Sequence, residues 1–105
     1  MRPSPGEVWL ADLGMAAKTR PVVIVSRYDE DPPRALIIYV PLTGQNRGSR
    51  YEVALPPLPF LRDETIANVQ GVASLPIPRL ELKLGNLPTD ALERLKRALK
   101  YAMEL

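Results

Sequence analysis

Two uninterrupted runs of apolar residues, 22–25 and 35–40, dominate the hydrophobic pattern of this chain. Neither run alternates apolar with polar positions, which is typical of strands that are buried on both faces. We therefore predict two central strands of a small closed barrel. Pro21 opens the first run and Pro41 follows the second. Because proline has no N–H to donate to a ladder, we expect these residues to mark the beginning and the end of the central strands.

Shorter segments around these runs complete the predicted sheet. We predict further strands in 6–13, 51–55 and 65–74, for five or six strands in all. Gly71, inside the last of these segments, indicates a bulge or a close approach of another backbone. Residues 77–84 follow a proline-rich stop. They are predicted to form a short helical turn that closes the barrel.

The C-terminal segment has the period of an amphipathic helix. Its apolar stripe is formed by Leu92, Leu95, Leu99 and Ala102 or Met103. Thr89 is the predicted N-cap, because its hydroxyl can accept a hydrogen bond from the first helical turn. The stripe should pack on the core, and it also suits a dimer contact. The pattern as a whole predicts a mostly β fold with one C-terminal α-helix, forming a single domain over residues 1–105.

Composition narrows the chemistry that this chain can perform. The 105 residues include no cysteine and no histidine. The first absence excludes a disulfide framework and a thiolate metal site. The second removes the commonest general base and the Ser-His and Cys-His nucleophile pairs. Any catalysis must therefore use Arg, Lys, Tyr, Ser, Thr or carboxylate side chains.

The charge balance permits an anionic partner without requiring one. Fourteen Lys and Arg residues face twelve Asp and Glu residues, for a formal charge of +2. Mildly basic proteins of this kind bind anions when their cations are grouped, and otherwise present a solvated surface. The sequence has no signal peptide and no apolar stretch of membrane-spanning length, so we expect a cytoplasmic protein.

Arg20 and Thr43 are the polar residues at the ends of the two central strands. If these strands form an antiparallel pair joined by the loop 27–34, both residues lie at the same end of the sheet. A guanidinium offers a planar fork of donors that matches a phosphate, and a hydroxyl adds one further donor. The pair would then suit a phosphoryl-transfer site. The alternative is an exposed strand-end charge beside an ordinary turn residue.

Five segments in chain order show a family resemblance: 6–13, 18–26, 40–43, 68–72, and 79–80 with 83–87. The most specific feature is an Arg-Pro strand opening followed by a Pro-Leu-Thr strand end. Together these segments resemble the MazF/PemK family of toxin endoribonucleases. The resemblance implies a dimeric, SH3-like barrel that cleaves single-stranded RNA without a metal or cofactor. It also implies a cognate antitoxin that holds the toxin inactive.

The resemblance further implies which residues act. The family's catalytic arginine and threonine fall on Arg20 and Thr43. The implied reaction is attack of the RNA 2′-OH on the adjacent phosphate, which leaves a 2′,3′-cyclic phosphate and a 5′-OH. Arg20 would stabilise the phosphoryl charge and could also move protons, and Thr43 would bind a phosphate oxygen. The residues predicted to bind RNA are Lys18, Thr19, Gln45, Asn68 and Gln70.

Three departures from the family pattern leave the acid and base of the reaction open. Many relatives have an acidic residue just before the Arg-Pro pair, whereas 14–19 contain none. Ala73 stands where many have an arginine, and Pro76 stands where an acidic residue follows it. Other hypotheses are a non-catalytic RNA- or antitoxin-binding barrel, a gyrase-targeting toxin of the same fold, and a purely structural oligomer.

Overall fold

The computed structural model describes residues 2–14 and 19–105. Within these ranges the chain forms seven strands, two 3₁₀ turns and one α-helix. The strands and the helix are β1 (Glu7–Asp12), β2 (Thr19–Ile24), β3 (Leu36–Thr43), β4 (Glu52–Ala54), β5 (Ile66–Asn68), β6 (Ala73–Pro76), β7 (Leu80–Asn86) and α1 (Thr89–Met103). The predicted mostly β fold with a C-terminal helix is confirmed, with more strands than the pattern indicated.

All strand pairs are antiparallel, in the order β4-β5-β3-β2-β1-β7. Strand β6 joins this sheet by pairing with the first half of β3, while β5 pairs with its last two residues. The two predicted central strands, β2 and β3, are neighbours joined by the loop 27–34. This arrangement brings the end of β3 back to the start of β2.

Strand β2 is buried on both faces, as its sequence predicts. Val22 and Ile24 belong to one apolar cluster, whereas Val23 belongs to another on the opposite face. Helix α1 covers the Val23 cluster through Ala91, Leu95 and Ala98. Leu95, at the centre of this stripe, was predicted; of the other predicted residues, Leu92, Leu99 and Ala102 are partly buried at its margins and Met103 is exposed. Within the described ranges, no helix is long and apolar enough to cross a membrane.

Both strand prolines lie inside strands rather than at their ends. Pro21 is the third residue of β2 and pairs with Leu10 of β1, but pairing with β3 begins only at Val22. Pro41 lies within β3, where its partner changes from β6 to β5. Proline has no N–H to donate, so a strand tolerates it where the hydrogen bonds to one of the two neighbouring strands are interrupted. These interruptions depend on the neighbouring strands and could not be predicted from either run alone.

The segment after residue 65 differs most from the sequence prediction. The predicted strand 65–74 is divided into β5 and β6 by a 3₁₀ turn at Val69–Gly71. Gly71 is closely approached by a side-chain ring and not by the backbone that was predicted: a Cβ there would lie 2.6 Å from Cγ of Pro41. The predicted helical turn at 77–84 is wrong beyond the 3₁₀ turn Ile77–Arg79, since the following residues form β7 and pair with β1.

The start of α1 also differs from the prediction. The N-cap is Pro88, and Thr89 is the first helical residue. Pro88 has extended φ and ψ angles of −58° and 150°, and its side chain offers no hydrogen-bond acceptor for capping. The helix is therefore stabilised by the packing of its buried face and not by a side-chain cap.

Candidate active site

Arg20 of β2 and Thr43 of β3 each lie two residues beyond the last paired position of the two strands. The paired positions are Val22 with Pro41, Val23 with Val40 and Ile24 with Tyr39. The same register, continued by two residues, sets Arg20 opposite Thr43. Opposite residues of antiparallel strands project from the same face, so the guanidinium and the hydroxyl share one face of the sheet. Both residues line a single open cavity of about 650 Å³.

A turn at the end of β3 orients the Thr43 hydroxyl. Its Oγ1 accepts a hydrogen bond from the backbone N–H of Gln45 at 3.3 Å. This bond uses an oxygen lone pair and leaves the hydroxyl proton for donation. Thr43 is half-buried, whereas Gln45 is exposed and does not line the cavity. Gln45 therefore supports Thr43 through its backbone.

Arg20 is exposed and keeps its full charge available to the cavity. Between the described residues, the one ion pair within 4.0 Å joins Lys83 to Glu7. The undescribed residues 15–18, which precede Thr19 in the sequence, contain no carboxylate. A guanidinium that no carboxylate neutralises is suited to bind a phosphate through paired N–H donors.

The turn 62–65 forms another wall of the cavity and was not predicted to be part of the site. Its side chains Arg62, Asp63 and Glu64 are exposed and line the cavity. Thr65 anchors the turn: it is buried, its Oγ1 donates to the carbonyl of Arg62 at 2.6 Å, and its own carbonyl accepts from Leu55 N–H. The sequence feature that could have indicated this wall is the run of three charged residues, Arg-Asp-Glu, between two apolar segments.

Glu64 adopts a left-handed backbone conformation, with φ of +60°. This conformation costs a residue with a Cβ about 1–2 kcal/mol relative to a right-handed one. Asparagine or glycine would adopt it at lower cost. The conformation is therefore maintained by the anchored turn around Glu64.

The remaining predicted RNA-binding residues are distributed unevenly around the cavity. Thr19 lines it beside Arg20, and Lys18 lies outside the described residues. Asn68 and Gln70 do not line it. Asn68 instead caps the turn Val69–Gly71, where its Oδ1 accepts from the N–H of Gln70 at 3.1 Å. Gln70 is exposed on this turn.

The loop between β3 and β4 is organised around the Glu52 carboxylate. One oxygen accepts from the Arg47 N–H at 2.9 Å, and the other accepts from the N–H and the hydroxyl of Ser49 at 3.0 and 2.7 Å. The hydrogen bond from Arg47, followed by those from Ser49, lowers the pKa of Glu52 below its ordinary value of 4.5. At its far end the loop meets α1, because the Arg50 guanidinium lies 3.8 Å from the ring centre of Tyr101.

A family model described as "PemK-like, MazF-like toxin of type II toxin-antitoxin system" matches residues 4–103. The chain belongs to this family. The match covers every described strand, the helix and the Arg20–Thr43 cavity. No curated protein matches the chain.

Solved structures of endoribonucleases and of a MazE-MazF complex share this fold over nearly their whole length. An endoribonuclease from a mycobacterial species is 26% identical, with a TM-score of 0.83 over 98% of this chain and 92% of the other. An endoribonuclease solved with its cognate antitoxin, also mycobacterial, is 27% identical, with a TM-score of 0.86 over 98% and 96%. A MazE-MazF structure from Deinococcus radiodurans is 20% identical, with a TM-score of 0.84 over 100% and 98%, which indicates the shared fold.

Two of the three departures from the family pattern, Ala73 and Pro76, lie on β6 of this PemK/MazF-like chain. Ala73 and Pro76 are exposed on β6, and they pair with Tyr39 and Leu36. They therefore adjoin the first half of β3, whereas Thr43 ends its second half. The other charged residues that line the cavity with the pair come from the turn 62–65.

Proposed function

We propose that this chain is the toxin of a type II toxin–antitoxin system and acts as a metal-independent endoribonuclease on single-stranded RNA. The observation that supports this most is that Arg20 and Thr43 line the same open cavity of a PemK/MazF-like fold. Similarity to two mycobacterial endoribonucleases at 26% and 27% identity supports the same activity.

In the proposed reaction, the RNA 2′-OH attacks the adjacent phosphorus and the bond to the 5′ oxygen breaks. The products are a 2′,3′-cyclic phosphate and a 5′-OH. Arg20 would donate its N–H groups to the phosphoryl oxygens as negative charge builds up on them. Thr43 would donate its hydroxyl proton to one of these oxygens. Donors already held in place stabilise a transition state without the cost of reorienting during the reaction.

Single-stranded RNA suits this site better than a duplex. The cavity is open, and its polar groups come from strand ends and from the turn 62–65, with carboxylates among them, rather than from a broad basic face. Unpaired RNA can place one phosphate and its 2′-OH in such a cavity while its bases are splayed apart. Lys18, Thr19, Gln45, Asn68 and Gln70 remain our candidates for contacts to the flanking nucleotides.

The proposal includes two protein partners. A cognate antitoxin would hold the toxin inactive, as suggested by the similar endoribonuclease that was solved with its own antitoxin. A second copy of the chain would form the homodimer that the family resemblance implies. Co-purification of the chain with the product of a neighbouring reading frame, followed by loss of RNA cleavage in the complex, would test the first partner.

The direct test is to incubate the protein with a long single-stranded RNA in EDTA and to map the new 5′ ends. We expect cuts at a short recurring sequence, with a cyclic phosphate on the upstream fragment. Arg20→Ala should abolish them. Arg27→Ala is the matched control, because Arg27 is an exposed arginine of the loop 27–34 that does not line the cavity.

Each alternative outcome points to a different protein. No cuts by the wild-type protein would contradict the nuclease and favour a binding module. Cuts that persist in Arg20→Ala would exclude Arg20 from the chemistry. Growth arrest that survives Arg20→Ala and is accompanied by DNA damage would indicate a gyrase-targeting toxin.

A further inference from the structure

We propose that Glu64 is the general base that removes the proton from the attacking 2′-OH. This inference rests on the proposed ribonuclease function and supplies a group that it lacks. A 2′-OH is a weak nucleophile until a base takes its proton, and the chain has no histidine for that task. The base must therefore come from another side chain that reaches the phosphate site.

The cavity itself limits the candidates. Of the described side chains that line it, Asp63 and Glu64 are the carboxylates. The other polar lining groups are arginines, which stay protonated, and threonines, which are too weakly basic to hold a proton. A general base must also have an uncommitted lone pair. No cation of the described residues lies within 4.0 Å of either carboxylate, so neither is committed to an ion pair with them.

Backbone conformation distinguishes the two carboxylates. Glu64 has φ of +60°, in the region that favours glycine or asparagine. Residues held in such conformations by their surroundings are concentrated at functional sites. The turn is held by the buried Thr65, whose hydroxyl donates to the Arg62 carbonyl. A glutamate gains nothing for the backbone there, and at this position it lines the cavity of Arg20 and Thr43, where a base for the 2′-OH is needed.

Glu104 has the same left-handed conformation but does not line the cavity. It has φ of +56° and follows the last residue of α1, where a left-handed residue commonly ends a helix. Its backbone N–H donates to carbonyls of the last helical turn. Glu104 therefore provides a matched control for Glu64, with the same side chain and nearly the same φ.

Every proton and electron pair of the proposed cleavage step is accounted for. The 2′ oxygen forms its bond to phosphorus as its proton moves to the Glu64 carboxylate. The electron pair of the P–O bond leaves on the 5′ oxygen, which takes a proton from water. The hydroxide that remains is neutralised by the proton that Glu64 releases. No metal or oxidant takes part.

The test measures single-turnover cleavage of a single-stranded RNA oligonucleotide that contains the mapped cut site. Glu64→Gln keeps the shape of the side chain and removes its basicity. We expect the rate near pH 7 to fall about 10²- to 10⁴-fold, the usual contribution of a general base. The wild-type rate should also fall on acidification as the carboxylate is protonated, and Glu64→Gln should lose this acidic limb. A purely structural role of Glu64 would leave the limb unchanged.

Glycine variants separate catalysis from folding. Glu64→Gly and Glu104→Gly both relieve a left-handed glutamate, so both should keep or raise the urea midpoint of unfolding. We expect only Glu64→Gly to lose cleavage. A well-folded variant with a large loss of rate would identify a residue selected for chemistry rather than stability.

The outcomes distinguish this inference from the proposed function. Cleavage by the wild type, with no cleavage of an RNA carrying a single 2′-deoxy nucleotide at the cut site, establishes the function on which the inference rests. If the wild type does not cleave, both fail. If it cleaves and Glu64→Gln cleaves within about threefold of it, Glu64 is not the base. A loss confined to Asp63→Asn would likewise overturn the assignment.

Discussion

The contact between Gly71 and Pro41 allows the packing beside the candidate site to be tested by a single methyl group. A Cβ at Gly71 would lie 2.6 Å from Cγ and 3.2 Å from Cδ of Pro41. Carbon atoms in contact prefer about 3.5–4.0 Å, so the shorter distance is an overlap of about 1 Å. The proline ring is closed onto its own backbone and cannot rotate away. Either β3 or the turn Val69–Gly71 must therefore shift.

The expected loss of stability follows from two opposing effects. Overpacking of a well-packed site costs about 1–3 kcal/mol. Replacing glycine by alanine also restricts the unfolded chain, which favours folding by about 0.4–1 kcal/mol. We therefore expect Gly71→Ala to lower the free energy of unfolding by about 1–2 kcal/mol. For a domain of this size, the corresponding decrease in Tm is about 5–10 °C.

Urea denaturation with a matched glycine control measures this effect. Gly44→Ala is the control, because a Cβ at Gly44 has no atom of the described chain within 4 Å. We expect Gly44→Ala to be neutral or slightly stabilising. The cost of Gly71→Ala should also shrink in a Pro41→Ala background, since the two residues are in contact and their effects should couple. Equal midpoints for the two alanine variants, or an unchanged cost without the proline ring, would refute the reasoning.

Three further predictions concern the site, a loop and the helix. Thr43→Ala should lower kcat about 10²-fold in single-turnover RNA cleavage by removing one transition-state donor, and an unchanged rate would exclude Thr43 from the site. Glu52→Gln should loosen the loop between β3 and β4 in hydrogen exchange at neutral pH. The folded-state pKa of Glu52 is lowered, so the ionised carboxylate stabilises the folded protein fully above the ordinary pKa of 4.5. This stabilisation is lost as the pH falls through the lowered folded-state pKa. The exchange rates of the variant and the wild type should therefore converge in acid. Leu95→Ala should cost about 2–5 kcal/mol in urea unfolding, because Leu95 is fully buried, whereas Leu105→Ala at an 84% exposed position should cost nothing measurable.

Local patterning of the sequence was enough to predict the elements whose environment is uniform along their length. The unbroken run 22–25 indicated a strand buried on both faces, and β2 has apolar clusters on both sides. The helical period of the C-terminal segment likewise predicted α1. The meeting of Arg20 and Thr43 at one end of the sheet also followed from sequence. A short connection between two buried strands makes them antiparallel, and antiparallel neighbours bring the start of one to the end of the other.

The tertiary structure alone decided the features that depend on a distant partner. Residues 80–86 form a strand because β1 pairs with them, although the prolines before them favoured a turn. Pro41 continues β3 because its neighbour changes at that point from β6 to β5. The turn 62–65 reaches the cavity of Arg20 and Thr43 although it is remote from both in sequence. Hydrogen-bond partners and cavity walls that come from separate parts of the chain leave no local pattern, so only the assembled sheet defines them.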